Sequence, residues 1–153
     1  MMDQPMNIQA EASLEMPASC KAVWERVISL SDRPTLKSWT PIAGTWPAET
    51  ATARVVMDKG VDMVRTETVV RMIPDRRLLL KVDAPEYKTI AWLDHRLTDT
   101  KAGCELSISV IVDAAMPDGQ GVDRAAYSAG TIDALQQALV AYRAQFTGAT
   151  PPK

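Results

Sequence analysis

The sequence is poor in the residue types that most often mark a metal or catalytic site. It contains one histidine, His95, and two cysteines, Cys20 and Cys104, in 153 residues. The cysteines are far apart and form no C-x-x-C motif, and a metal would require further ligands that are not evident, so neither a metal nor another cofactor is predicted. We expect the two cysteines to be buried free thiols in a reducing cytoplasm.

The sequence also lacks long apolar runs and any concentration of positive charge. No stretch approaches the roughly 20 apolar residues of a membrane-spanning helix, and no basic region followed by an apolar run opens the chain. Lysine and arginine are spread along the chain, whose formal net charge is −2. The glycines of MPDGQG do not form a phosphate-binding loop between a strand and a helix. We therefore expect a cytoplasmic protein with no membrane span and no nucleic-acid partner.

Alternating apolar and polar residues occupy most of the chain. A period of two predicts a strand over 7–15 and a run of strands between 50 and 114, joined by hairpin-length turns. Helical spacing predicts a short helix capped by Ser19 and a long helix from about Val122 to Phe146. Between them, TLKSWTPIAGTWP predicts a brief helical turn and a loop, because it is rich in tryptophan and proline.

This order of elements predicts an α+β fold with an antiparallel sheet. We expect a curved sheet of about six strands around the long C-terminal helix, with one or two short helices between the first two strands. One domain is expected over residues 7–146, with flexible tails at 1–6 and 147–153. The first half of the long helix would leave space for a ligand, because its residues are small: Ala125, Ala126, Ser128, Ala129 and Gly130.

Four stretches of the sequence carry a resemblance to a known family. PASCKAVWERVISLSD, LKSWTP, VRTETVVRMIPDRRLLLKV and TDTKAGCELSISVIV resemble the START-like (SRPBCC) superfamily, and most of all its polyketide cyclase/dehydrase and lipid transport group. The resemblance runs from about Ile8 to Phe146 and includes the order of elements. It implies a helix-grip fold with an apolar cavity between the C-terminal helix and the sheet, in which Val23, Trp24, Trp39 and the turn at Gly103 serve the fold. That group shares no catalytic signature, so the resemblance leaves the reaction open.

Inward-facing residues of the sheet and the helix are predicted to line this cavity. On the strand over 61–73, alternation assigns to the inner face Val64, Thr66, Thr68, Val70 and Met72. The solvent face of that strand would then carry cross-strand charge pairs of Arg65, Glu67 and Arg71. Other predicted lining residues come from later strands, the long helix and the cavity mouth: Leu93, His95, Leu106, Ile108, Val110, Ser128, Ile132, Leu135 and Trp46.

His95 is the first candidate for acid or base chemistry, because the charge of histidine changes near neutral pH. One phase of its strand places His95 inside with Leu93 and Leu97, and the other places it in water. We favour the first phase, since Leu97 followed by a polar turn matches the family pattern. Tyr127, on the small-residue half of the helix, is a second candidate for proton transfer. A lone histidine on an apolar face is more often a hydrogen-bonded wall residue, and no serine or cysteine nucleophile can be placed beside this one.

Three functions remain open on the sequence. The first is the binding of a small hydrophobic or aromatic molecule, such as a lipid or a polyketide, in the cavity. The second is a polyketide cyclase/dehydratase-like enzyme in which His95 or Tyr127 moves protons. The third is a protein-interaction module that resembles the heat-shock ATPase activators of the same superfamily. A carrier tolerates a cavity without titratable groups, whereas an enzyme of this kind requires at least one.

Overall fold

The computed structural model describes residues 4–58, 60–87, 89–116 and 124–147, with the backbone alone described at 4–7, 87, 114–116 and 124–128. The main elements are β1 (Gln4–Met16), α1 (Cys20–Ile28), β2 (Leu36–Ala43), β3 (Thr52–Asp58), β4 (Asp62–Ile73), β5 (Arg77–Ala84), β6 (Thr89–Asp99), β7 (Cys104–Met116) and α2 (Arg124–Thr147). Short 3₁₀ turns lie at Leu30–Asp32 and Pro85–Tyr87. None of the described helices combines the length and the apolar character needed to cross a membrane.

The described strands form one seven-stranded sheet in the order β1-β7-β6-β5-β4-β3-β2. Every neighbouring pair is antiparallel, and the first strand pairs with the last, with Ile8 opposite Val112 and Met16 opposite Cys104. α2 packs against β1, and its buried side chains join the core of the sheet. The predicted α+β architecture, an antiparallel sheet with a long C-terminal helix and a short helix after the first strand, is confirmed.

Two element predictions are wrong. The stretch Leu36–Ala43, expected as a helical turn and loop, is the edge strand β2, which pairs with β3. Its side chains are almost all exposed, so no alternation of apolar residues marks it, and an edge strand tolerates Pro41 because one row of its N–H groups needs no partner. β1 begins at Gln4, inside the stretch expected as a flexible tail.

The core lies between the inner face of the sheet and the two helices. Along β7 the residues Leu106, Ile108, Val110 and Val112 point inward, as the alternation predicts. α1 contributes Val23, Trp24 and Val27, and its first turn is capped by Ser19, whose Oγ accepts from the Ala22 N–H at 3.2 Å. Cys20 and Cys104 are buried and free, which confirms that part of the prediction.

The turn before β7 requires glycine. Gly103 has φ +150°, and a Cβ added there would lie 2.4 Å from the carbonyl oxygen of Ala18. The turn therefore packs directly against the chain at the end of β1, and any side chain larger than hydrogen would displace one of the two.

Candidate functional site

The side chains of β4 face the opposite way from the prediction over most of the strand. Glu67 lies opposite Ala53 of β3 and Val82 of β5, which are core residues, and Glu67 itself is 0% exposed. Val69, two residues further on, is buried on the same face. The assignment of Val64, Thr66, Thr68 and Val70 to the inner face is therefore wrong.

A β-bulge causes the error. In the pairing of β4 with β5, Val69 lies opposite Leu80 and Arg71 opposite Leu79, so the register shifts at Val70. Met72 then returns to the inner face opposite Leu78, as predicted, while Val70 and Arg71 are both exposed. A bulge adds one residue to a strand, so the residues before it face the opposite way from the alternation that holds after it. A single alternating assignment of faces therefore cannot be correct on both sides of the bulge.

This reversal turns two charged side chains of β4, Arg65 and Glu67, into the interior, where they meet a third from another segment. Arg33, from the segment between α1 and β2, donates from Nη1 to Glu67 Oε2, and Arg65 Nε donates to the same oxygen at 2.8 Å. The side chains of Arg33 and Arg65 are only 8% and 14% exposed. Tyr142 of α2 is buried close enough to Arg33 for the charge of the guanidinium to act on its phenol. We call Arg33, Arg65, Glu67 and Tyr142 the Glu67 cluster.

The electrostatics of the cluster keep Glu67 ionised. Burial by itself would raise the pKa of the carboxyl, but the positive charges of Arg33 and Arg65 together hold that pKa below its ordinary value. Burial raises the pKa of Tyr142, so its phenol is neutral. Two guanidinium groups and one carboxylate leave the cluster with one net positive charge. Among the described residues, no donor reaches Glu67 Oε1, although this oxygen is buried.

His95 lies on the inner face of β6, 6% exposed and opposite Leu78 and Ile108. The prediction that His95 faces inward together with Leu97 is confirmed, while the chemical role of His95 stays a prediction. His95 Nδ1 is 3.1 Å from the carbonyl oxygen of Leu78; a carbonyl only accepts, so Nδ1 carries the proton and Nε2 keeps a lone pair. Burial, together with the positive charge of Arg33, lowers the pKa of His95 to about 4, so the ring is neutral at pH 7.

The other predicted residues are distributed as follows. Leu106, Ile108, Val110 and Leu135 are buried in the core, and Leu93 is partly buried against it. Trp46 is half-buried, and its Nε1 donates to the Ile28 carbonyl oxygen at 2.8 Å, which fixes the ring to the end of α1. Ile132 is 36% exposed and lies one turn before Leu135 on the same side of α2, so its place in a ligand site stays a prediction. The side chains of Tyr127 and Ser128 lie outside the described residues.

Sequence reasoning missed the members of the Glu67 cluster as site residues. Arg33 lies in a connecting segment, Tyr142 lies on a helix distant in the chain, and simple alternation along β4 assigns Arg65 and Glu67 to the solvent face. The inward alternation of Arg65, Glu67 and Val69 is visible in the sequence only if the bulge at Val70 is known. Among the described residues, no group of three His, Cys, Asp or Glu side chains could hold a metal ion.

Comparisons with known proteins agree on the fold. No protein-family model matches the chain, and no curated protein matches its sequence. Protein SA2116 of unknown function from Staphylococcus aureus superposes with a TM-score of 0.75 at 10% identity, over 95% of this chain and 96% of that one. Ara h 8.0201 gives a TM-score of 0.68 at 11% identity, over 95% and 100% of the two chains.

A third similar structure is the di-domain ARO/CYC StfQ from the steffimycin biosynthetic pathway. Its TM-score is 0.74 at 13% identity, over 94% of this chain and 52% of StfQ. The chain has the helix-grip fold. Because all three identities are low, these likenesses establish the fold alone. In this protein the inner face of the sheet carries the Glu67 cluster and His95.

Proposed function

We propose that the protein binds a small hydrophobic or aromatic molecule between α2 and the inner face of the sheet. The observation that carries this proposal is the uneven packing of α2. From Leu135 onward the helix buries Leu135, Leu139 and Tyr142, whereas no residue from Ala129 to Ala134 is buried.

The sheet also has apolar surface that its own chain leaves partly uncovered. Ala91 and Leu93 share the inner face of β6 with His95 and Leu97, yet both are only partly buried. An apolar ligand lying on them would remove this surface from water, which is the main source of affinity in such sites. StfQ, an ARO/CYC of a biosynthetic pathway with the same fold, supports an aromatic molecule as the class of ligand.

A panel of fatty acids, sterols and planar aromatic compounds tests this proposal. Thermal shift and native mass spectrometry of the purified protein should show binding of the aromatic compounds. Leu93→Trp should fill the site and weaken binding about tenfold or more, which corresponds to roughly 1.4 kcal/mol. Ile111→Trp is the control, because Ile111 is exposed on the outer face of β7. No binding to the wild type, or equal binding by Leu93→Trp, would overturn the proposal.

A second candidate is a cyclase/dehydratase-like enzyme, favoured by the neutral, buried imidazole of His95. Its Nε2 could take a proton from the carbon beside a ketone, while a guanidinium of the Glu67 cluster stabilises the enolate oxygen. The test is deuterium exchange into the methylene group of benzoylacetone. NMR measures the exchange rate, from which the rate in buffer alone is subtracted. His95→Gln should lower the protein-dependent rate about tenfold or more, within the range of general-base catalysis. An unchanged rate would remove His95 from this role.

A further inference from the structure

We infer that the molecule bound at this site carries a hydroxyl group, and that this hydroxyl donates a hydrogen bond to Glu67 Oε1. The inference rests on the proposed function and identifies the polar end of the ligand. It starts from Oε1, a buried carboxylate oxygen that no donor in the described part of the chain reaches.

The chemistry of Glu67 requires a donor as its partner. Because Arg33 and Arg65 keep the carboxyl ionised, both of its oxygens only accept hydrogen bonds. A buried, charged acceptor without a donor is strongly unfavourable, and folded proteins almost always supply one. A ligand carboxylate or carbonyl cannot fill this place, whereas a hydroxyl can.

The polar groups nearest to Glu67 in the structure are already engaged. Arg33 and Arg65 both bind Oε2, and the phenol of Tyr142 lies with Arg33. The ring proton of His95 is held by the Leu78 carbonyl oxygen. Arg33 and Arg65 therefore stabilise one oxygen of the carboxylate, and no donor in the described part of the chain reaches the other.

The neighbours of Glu67 across the sheet are small and apolar. The register places Ala53 on one side of Glu67, and Val82 and then Ala91 on the other. None of these side chains can donate a hydrogen bond, and Ala91 is only partly buried. A flat molecule lying on Ala91 and Leu93 would meet apolar surface along its body, and its polar end would reach Oε1 once the side chain of Val82, which is 4% exposed and lies between Ala91 and Glu67, turns aside.

The charge of the cluster distinguishes between classes of donor. Two guanidinium groups and one carboxylate already leave one positive charge in the interior, so an ammonium group would add a second. A neutral hydroxyl satisfies Oε1 without that repulsion. The geometry therefore favours an aromatic alcohol or phenol over an aromatic amine.

Four probes of similar size test this inference on the unmodified protein: 2-naphthol, 2-methoxynaphthalene, naphthalene and (2-naphthyl)methylammonium. Dissociation constants from calorimetry should show 2-naphthol binding about tenfold tighter than 2-methoxynaphthalene, which accepts but cannot donate. The ammonium probe should bind more weakly than 2-naphthol. A crystal structure of the complex should place the naphthol oxygen about 2.5 to 2.7 Å from Oε1.

Glu67→Gln, which removes the charge at constant size, should abolish the preference for the hydroxyl probe. Arg71→Gln, from the exposed face of the same strand, should keep it. Equal affinities for 2-naphthol and 2-methoxynaphthalene in the wild type would overturn the inference and leave the proposed function standing. A crystal structure of the complex in which Oε1 accepts its hydrogen bond from water or from a protein group would overturn the inference as well. If none of the aromatic probes binds, the inference and the proposed function both fail.

Discussion

At the residue scale, the polar side chains that the core buries most completely within the described ranges are Glu67 and His95. Apart from Arg65, almost all the other inward-facing side chains of their two strands are apolar. Glu67 is stabilised there by two guanidinium groups, and His95 by remaining neutral. The consequences of changing each residue therefore differ in kind.

Replacing Glu67 with glutamine leaves Arg33 and Arg65 in the interior without their counter-charge. We expect the free energy of unfolding to fall by about 3 to 5 kcal/mol, the usual cost of breaking a buried ion pair from one side. Urea denaturation followed by circular dichroism measures this loss. Arg71→Gln should change the value by less than about 0.5 kcal/mol, because Arg71 is exposed. Similar losses in the two variants would contradict the burial of the Glu67 cluster.

The neutral state of His95 makes stability depend on pH. The folded imidazole has a pKa of about 4 instead of 6.5. The unfolded state therefore binds more protons between pH 6.5 and pH 4, and stability falls as the pH is lowered through this window, by up to about 3 kcal/mol. Glu67 acts in the same direction, but below the ordinary carboxyl pKa.

Urea denaturation of wild type and His95→Gln at pH 7, 6 and 5 separates the histidine from the carboxylates. The wild type should lose stability over these steps, and the variant should lose much less, because glutamine does not titrate. Parallel losses in the two proteins would show that His95 is not the group responsible.

At the scale of elements, the sequence predicts the strands with a clear period of two and misses what breaks that period. β3 to β7 and both helices are found within a few residues of their bounds, because each has one buried and one exposed face. β2 is missed because an edge strand with exposed side chains has no such pattern. The phase of β4 is missed because a bulge leaves no mark in the residue types around Val70.

Two glycines of different elements should respond in opposite ways to alanine. At Gly130 of α2 an added Cβ meets nothing within 4 Å, so Gly130→Ala should raise stability by up to about 1 kcal/mol through helix propensity. At Gly103 the added Cβ would collide with the Ala18 carbonyl oxygen, so Gly103→Ala should lower stability by more than about 1 kcal/mol. Thermal denaturation of both variants provides the check. A loss at Gly130 would indicate a close neighbour of that residue.

At the scale of the whole molecule, elements distant in the chain close the fold. β1 pairs with β7 along its whole length, and α2 packs on β1, so both ends of the described chain contribute to one core. Sheet and helix should therefore unfold together, as in other small domains.

Leu139→Ala tests this cooperativity. Leu139 is 1% exposed within the shared core, so its truncation should lower the free energy of unfolding by about 2 to 5 kcal/mol. Circular dichroism and tryptophan fluorescence should give the same shifted transition, since loss of the helix also opens the sheet. The neighbouring Val140→Ala should leave stability nearly unchanged, because Val140 is 41% exposed. Separate transitions for the two probes would show that α2 unfolds alone.

The sequence by itself determined the α+β class, the order of most elements and the apolar inner face, because these depend on local spacing and on composition. It also identified His95, because a single histidine within an alternating strand is easily recognised. Tertiary structure alone decided that Glu67 and Arg65 point inward and that Arg33 and Tyr142 meet them. The physical reason is that a one-residue bulge exchanges the two faces of a strand, and contacts between distant segments depend on which face each presents.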